Sequence, residues 1–270
     1  MRLPQHLNYL LKNRFSEKQM ATIAQAILEL ATDNTIQTEL PDDIDQHVRS
    51  FMAALEEEDP LTLECALINL YIRLHSAGSR YSPSEKRFLK KRNSYLCHPG
   101  GLSPLILAEP FIKPESVVAD LGAGNGLQGL LLQRLYPHRK TLQIELSAEM
   151  IRVGRILQQA LWISDERVEW INGDIADITI DADFIYIYRP ARPLDGGEEL
   201  YQSIACRLGA MHKPLVIFSV ADCLGKFLDK GFSIFYSDGH LTCFSKQGDA
   251  ALRWHLDRRL EYSNERIGRW

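Results

Sequence analysis

The stretch Val117-Val118-Ala119-Asp120-Leu121-Gly122-Ala123-Gly124-Asn125-Gly126 decides the fold. Its first three residues are a short β-rich apolar run, and an acid ends it. Glycines follow at alternate positions, and Gly126 to Leu135 then carries a helical pattern. Strand, tight turn and helix in immediate succession form one βα unit. Glycines allow the turn and let a ligand approach without a Cβ in the way. The N-terminus of the next helix is expected to present free N–H groups toward an anionic group.

Downstream, the rhythm of strand and helix continues. Apolar β-rich runs recur at Thr141 to Ile144, Val168 to Ile171, Phe184 to Tyr188 and Leu215 to Val220, with helical patterns such as Ala148 to Leu161 between them. Such alternation predicts an α/β fold: a doubly wound, mostly parallel sheet with helices on both faces and right-handed crossovers. The end differs. Phe232 to Ser237 and His240 to Ser245 flank Asp238-Gly239, a dipeptide favoured where both turn positions take positive φ. The spacing therefore predicts an antiparallel C-terminal hairpin strand.

Upstream, residues 1 to about 95 read as helices. Ser16 with Gln19 forms a capping-box pattern, followed by an apolar face of Met20, Ile23, Ala24, Ile27, Leu28 and Ala31. Pro41 is expected to open a second helix with Asp42 and Asp43 in its first turn, striped by Ile44, Val48, Phe51, Met52 and Leu55. Asp59 and Pro60 start a third, dense in apolar residues from Leu61 to Leu74. Ser82 and Glu85 make another capping box before the basic stretch Lys86 to Arg92, read as a solvated face. The expected organisation is a helical N-terminal cap or substrate domain (1–98), a sheet domain that binds the cofactor (99–250) and a polar helix or tail (251–270).

Composition narrows the function classes. Of the 270 residues, 45% are hydrophobic and 24% charged, as in ordinary globular proteins, and a formal charge of −4 gives no general pull toward nucleic acid or anionic membrane. No signal-peptide pattern opens the chain, and no apolar run reaches the ~18 residues of a membrane helix. Cys65, Cys97, Cys206, Cys223 and Cys243 form no C-x-x-C pair and no zinc spacing. A reduced, cytoplasmic protein with buried, inert thiols and no metal is expected.

The pattern acid-x-G-x-G-x-G differs from the dinucleotide fingerprint G-x-G-x-x-G, because Leu127 stands at its third glycine. It resembles the first motif of the class I methyltransferases, which bind S-adenosylmethionine. The resemblance covers residues from about 100 to 245. It implies that Asp120 and the backbone of Leu121, Gly122, Ala123, Gly124, Asn125 and Gly126 cradle the methionine part of that cofactor. It implies further that Glu145, with Leu146 beside it, accepts the ribose hydroxyls, and that Asp174 and Ile175 meet the adenine. Glu145 alone suits either this cofactor or a nicotinamide dinucleotide. The antiparallel hairpin and the glycine spacing favour the methyltransferase.

A sulfonium methyl is already electrophilic, so such a protein must mainly align the nucleophile and exclude water. After the fourth strand comes Tyr188-Arg189-Pro190-Ala191-Arg192-Pro193. It departs from the Asn/Asp-Pro-Pro-Tyr/Phe motif of relatives that methylate amides and exocyclic amines. Tyr188 is the candidate to stack on the cofactor or line the methyl channel, and Arg189 to grip an anionic substrate. His98, in the link Cys97 to Gly101, reads as a plain turn residue. The expected acceptor is a small anionic or amine metabolite, then a protein side chain, then RNA. The rivals to an enzyme of this class are a cofactor-binding regulatory module without turnover and a dehydrogenase.

Overall fold

The computed structural model describes residues 4–15, 17–57, 59–78, 81–95, 99–194 and 196–246. Ser16, Cys97, His98 and the expected tail at 251–270 lie outside the described residues.

Helices α1 (Gln5–Arg14), α2 (Lys18–Ala31), α3 (Ile44–Glu56), α4 (Pro60–His75) and α5 (Pro83–Lys91) fill the N-terminal third. Their starts follow local chemistry. Asp59 accepts the N–H groups of Leu61 and Thr62 ahead of Pro60, and Ser82 and Glu85 make both bonds of a capping box. The second expected start moves. The helix begins at Ile44 rather than Pro41, because Asp43 turns its carboxylate to Arg73 of α4 instead of capping its own helix. α2 is buried on more than the single face its spacing predicts. It packs against α1, α3 and α4 and also against the sheet's helices α7 (Leu127–Leu135) and α8 (Ala148–Ala160). A short helix, α6 (Ser103–Leu107), leads into the sheet.

Among the described residues seven strands form one sheet in the order β3-β2-β1-β4-β5-β7-β6. They are β1 (Val117–Leu121), β2 (Lys140–Glu145), β3 (Val168–Asn172), β4 (Phe184–Tyr188), β5 (Leu215–Val220), β6 (Phe232–Ser237) and β7 (Leu241–Lys246). β1 to β5 are parallel, while β7 runs antiparallel between β5 and β6. This is the doubly wound sheet with an antiparallel hairpin. The hairpin turn itself differs from expectation. It spans Asp238 to His240, with positive φ at Gly239 only, because Asp238 Oδ1 accepts the N–H groups of His240 and Leu241 and fixes a longer loop.

The period-2 pleat sends alternate side chains to the two faces. Val118, Phe184, Tyr186 and Phe218 join α7 and α8 in a core continuous with that of α1 to α4. Ala119, Leu121, Ile185 and Ile187 pack on the opposite face with α9 (Gly197–Ala210). Cysteine burial is not uniform: Cys223 and Cys243 are buried, Cys65 is half-buried and Cys206 is exposed. The exposure of Cys206 corrects the expectation of buried thiols, since it lies on the solvent side of α9. Among the described residues, no helix is long and apolar enough to cross a membrane and no His/Cys/Asp/Glu group could hold a metal ion.

One contact locks the glycine turn to the sheet's helical layer. The Trp170 ring of β3 fills the space left by Gly126 and Gly154, and its Nε1 donates to Gln158 at 2.7 Å. A Cβ on Gly154 would stand 2.1 Å from the ring and 2.8 Å from the Asn125 carbonyl. Alanine is the better helix former by about 1 kcal/mol, yet overpacking costs about 1–3 kcal/mol. Gly154→Ala is therefore expected to lower the urea midpoint; an unchanged or raised midpoint would show the groove to be looser than this.

Candidate functional site

The C-terminal ends of β1 and β2 build the first part of the site. Gly122, Gly124 and Gly126 take φ of +78°, +60° and +70°, so the alternate-glycine spacing is a run of alternate left-handed residues. Ile144 O accepts the N–H groups of Gly122 and Ala123, both at 3.0 Å. Glu145 Oε2 accepts that of Gly124 at 2.8 Å and Oε1 that of Ser147 at 2.9 Å. Asn125 Oδ1 accepts from Leu127, and Asp120 Oδ2 accepts from Gly129 in the first turn of α7. The N–H groups of Gly122, Ala123, Gly124, Leu127 and Gly129 are thus taken by the protein's own oxygens rather than left free toward an anion, and the turn presents shape and carboxylates to the cleft. A Cβ on Gly124 would meet nothing nearer than Met150 Cε at 3.9 Å, so bare backbone faces open space there.

Burial sets the electrostatics. Asp120 is 3% exposed, and desolvation, with Glu145 adding to it, raises its carboxyl to about 7 against the Gly129 hydrogen bond. Burial also raises Glu145, against three backbone hydrogen bonds. The deep end of the site is thus short of positive charge, and each carboxylate oxygen keeps a lone pair beyond its protein bond.

The other walls come from the helical region and from β4. The cleft holds roughly 930 Å3 of empty space, part of it open to solvent. Phe88, Leu89 and Arg92 of α5 and its cap line it, while Lys86, Arg87, Lys90 and Lys91 face solvent. The basic stretch is therefore solvated on one side and part of the site on the other. The segment after α5 is stitched across the cleft. Arg92 pairs with Asp174, Ser94 bridges Ala191 in antiparallel fashion, and Tyr95 N–H donates to Pro190 O at 3.2 Å. The Arg192 guanidinium lies 5.6 Å over the Tyr95 ring.

Of the residues singled out in the sequence, Asp120, Gly122, Ala123, Gly124, Glu145, Leu146, Asp174, Ile175, Tyr188 and Arg189 line this one cleft. Leu121, Asn125 and Gly126 do not. Leu121 points to the α9 core, Gly126 backs onto Trp170, and Asn125 donates to the carbonyls of Leu74 and Ala77 at the end of α4. Asp174 is already engaged by Arg92 and by the Ala176 N–H. Arg189 holds a left-handed φ of +22° and donates from Nε to Cys223 Sγ at 3.1 Å. Such strain in a non-glycine residue clusters at functional sites. Sequence reasoning missed His75, Tyr81, Gln128 and Tyr186 on the cleft wall. Two carried a signal: Gln128 interrupts an apolar helix start, and Tyr186 shares the Tyr188 face of β4 by alternation.

No family model matches the chain, and no curated protein matches it. Solved structures do. It is similar to TrmN from Thermus thermophilus, at 18% identity over 52% of this chain and 47% of that one, with a TM-score of 0.44. It is similar to an RNA methyltransferase from Salinibacter ruber in complex with S-adenosyl-L-homocysteine, at 18% identity over 55% and 92%, TM-score 0.44. It is also similar to geranyl diphosphate C-methyltransferase from Streptomyces coelicolor A3(2), at 16% identity over 43% of each chain, TM-score 0.35. The chain spans about half the length of the first of these.

The raised Asp120 carboxyl has a consequence for stability. Its proton is favoured by folding, so that contribution is complete below the ordinary carboxylate range and is lost as pH rises through about 7. Asp120→Asn keeps an oxygen for the Gly129 N–H and removes the buried charge. Its melting temperature is expected to gain on the wild type between pH 5 and pH 8, by about 1.4 kcal/mol of stability per pH unit at most. A gap that stays constant over that range would mean Asp120 ionises normally.

Proposed function

We propose that this chain transfers a methyl group from S-adenosylmethionine to a small-molecule acceptor. One observation carries the reading. A left-handed glycine turn at the end of β1 is bonded to the strand-end carboxylate of β2, and both face a cleft beyond the carboxyl ends of the parallel strands. That donor set fits an adenosyl cofactor with a cationic amino-acid end. Asp120 and Glu145 offer acceptor lone pairs for an ammonium and for ribose hydroxyls, and the Gly124 backbone leaves room. When bound, the cofactor supplies an electrophilic methyl group on sulfur.

The chain's own residues supply placement and exclusion of water. Asp120 and Glu145 hold the polar groups of the cofactor. Asp174 and Ile175 border the adenine end, where Arg92 shares the Asp174 carboxylate. Tyr188 and Arg189, at the end of β4, stand where an acceptor would be aligned, and Arg189 keeps a fixed charge there. α4, α5 and residues 92–95 act as the cap. The bonding of residues 93–95 to residues 190–192 ties two walls of the cleft together, which supports a small acceptor over a polymer.

Calorimetric titration with S-adenosylmethionine and S-adenosylhomocysteine, with NAD as control, tests the cofactor. Micromolar binding of both adenosyl ligands is expected. Glu145→Ala should weaken it about 10–100-fold, as loss of a charge-assisted hydrogen bond does. Gly124→Val should abolish it by denying the left-handed turn. Tighter binding of NAD, or no adenosyl binding by folded wild type, would overturn the reading. With labelled methyl donor and a cell extract, label is expected in the small-molecule fraction; label in nuclease-sensitive material would point to RNA.

A further inference from the structure

Two buried hydrogen-bond donors on the cleft wall have no partner among the described residues: Gln128 Nε2 and Tyr186 Oη. The residues are 2% and 4% exposed, so water does not satisfy these atoms from the surface. Buried polar groups are nearly always paired, so two unpaired donors on residues that line one cleft call for a partner.

Their orientation is fixed from outside the sheet. Gln128 Oε1 accepts the Tyr71 hydroxyl of α4 at 2.7 Å, which commits the oxygen end of the amide and leaves the NH2 end unpaired. Tyr186 Oη lies 1.6 Å from where a Cβ on Gly100 would stand, so the hydroxyl occupies that place only because residue 100 has no side chain. Burial, together with Tyr71, Asp120 and Tyr188, holds the Tyr186 phenol well above its ordinary value, and it stays a donor at any working pH.

Charge decides what these donors take. Asp120 acts on Tyr186, and both Asp120 and Glu145 are pushed toward their neutral forms; His75 lines the same wall beside Tyr71. Arg92 is paired with Asp174, and Arg189 is bonded to Cys223. An anion there would sit beside two acids, whereas one neutral oxygen with two lone pairs matches two neutral donors. We infer that Gln128 and Tyr186 form the subsite for an uncharged carbonyl oxygen of the methyl acceptor, such as that of an amide, lactam or ketone. Tyr71 is the positioning residue that sets the Gln128 amide. The word acceptor rests on the methyltransferase reading; the oxygen subsite does not.

The test uses the full chain and 2-pyrrolidone, with acetate as its anionic and pyrrolidine as its carbonyl-free counterpart, followed by amide chemical shifts in NMR titrations. The lactam is expected to bind, and the other two to bind at least about tenfold more weakly. Tyr186→Phe and Gln128→Leu should each weaken the lactam about tenfold or more. Tyr186→Phe should also melt at or above the wild type, because it removes an unpaired buried group, so lost binding cannot be ascribed to unfolding. Tyr71→Phe should weaken the lactam in the wild-type background and leave Gln128→Leu unchanged, which a merely structural role would not do. Acetate binding best, or a lactam indifferent to both Gln128→Leu and Tyr186→Phe, overturns the subsite. If those two variants weaken S-adenosylhomocysteine but spare methylthioadenosine, the donors hold the amino-acid end of the cofactor, and the acceptor assignment is overturned. Failure of wild type to bind any adenosyl ligand would defeat the methyltransferase reading alone, since the lactam titration runs without it.

Discussion

The carboxylate of Glu145 sits between two turns. One oxygen holds the Gly124 N–H, and the other holds the Ser147 N–H at the start of α8. With Ile144 O bound to Gly122 and Ala123, the end of β2 dictates the shape of the turn after β1. Three left-handed glycines in five residues would be an entropic weakness if left alone. The strand end turns them into one conformation. The same carboxylate that defines the turn also lines the cleft, so the site's shape and its charge have a common origin.

The turn is fixed from its far side as well. Asn125 donates to the last carbonyls around the α4 terminus, which satisfies groups a helix end leaves open. Tyr71 of α4 reaches Gln128, and Arg134 of α7 pairs with the buried Glu29 of α2. The apolar core runs without a break from α1 to the sheet. The helical region therefore acts on the cleft through specific polar contacts on a shared core.

The sheet was legible because its signals are local. Short β-rich runs, helical spacings and an Asp-Gly turn each report on a few residues, and the parallel order follows from their alternation. Asp120, Glu145 and the glycines were legible as cleft residues because one turn carries them. Gln128 and Tyr186 were not, because each looks like part of an apolar element until α4 and Gly100 are placed beside it. Asn125 was read for its backbone alone; that its side chain ties the turn to the end of α4 was not legible, because α4 lies far away in the sequence. The Ile44 start of α3 was misplaced for a similar reason. A distant arginine competes for Asp43, and no local rule contains Arg73.

These contacts also explain why the acids stay buried. An isolated pair of carboxyls at this depth would favour protonation, and burial does raise both. Backbone N–H groups from Gly124, Ser147 and Gly129 offset only part of that cost. The remainder is stabilisation that a cation in the cleft would provide, because it restores the ionised state of both acids. The buried acids thus favour a cation over an anion beside them. Tyr188 and the strained Arg189, at the end of β4, line the same cleft, and Arg189 adds a positive charge to it. On the proposed reading the acids hold the cationic donor, Tyr188 and Arg189 align the acceptor, and residues 92–95 keep water from between them.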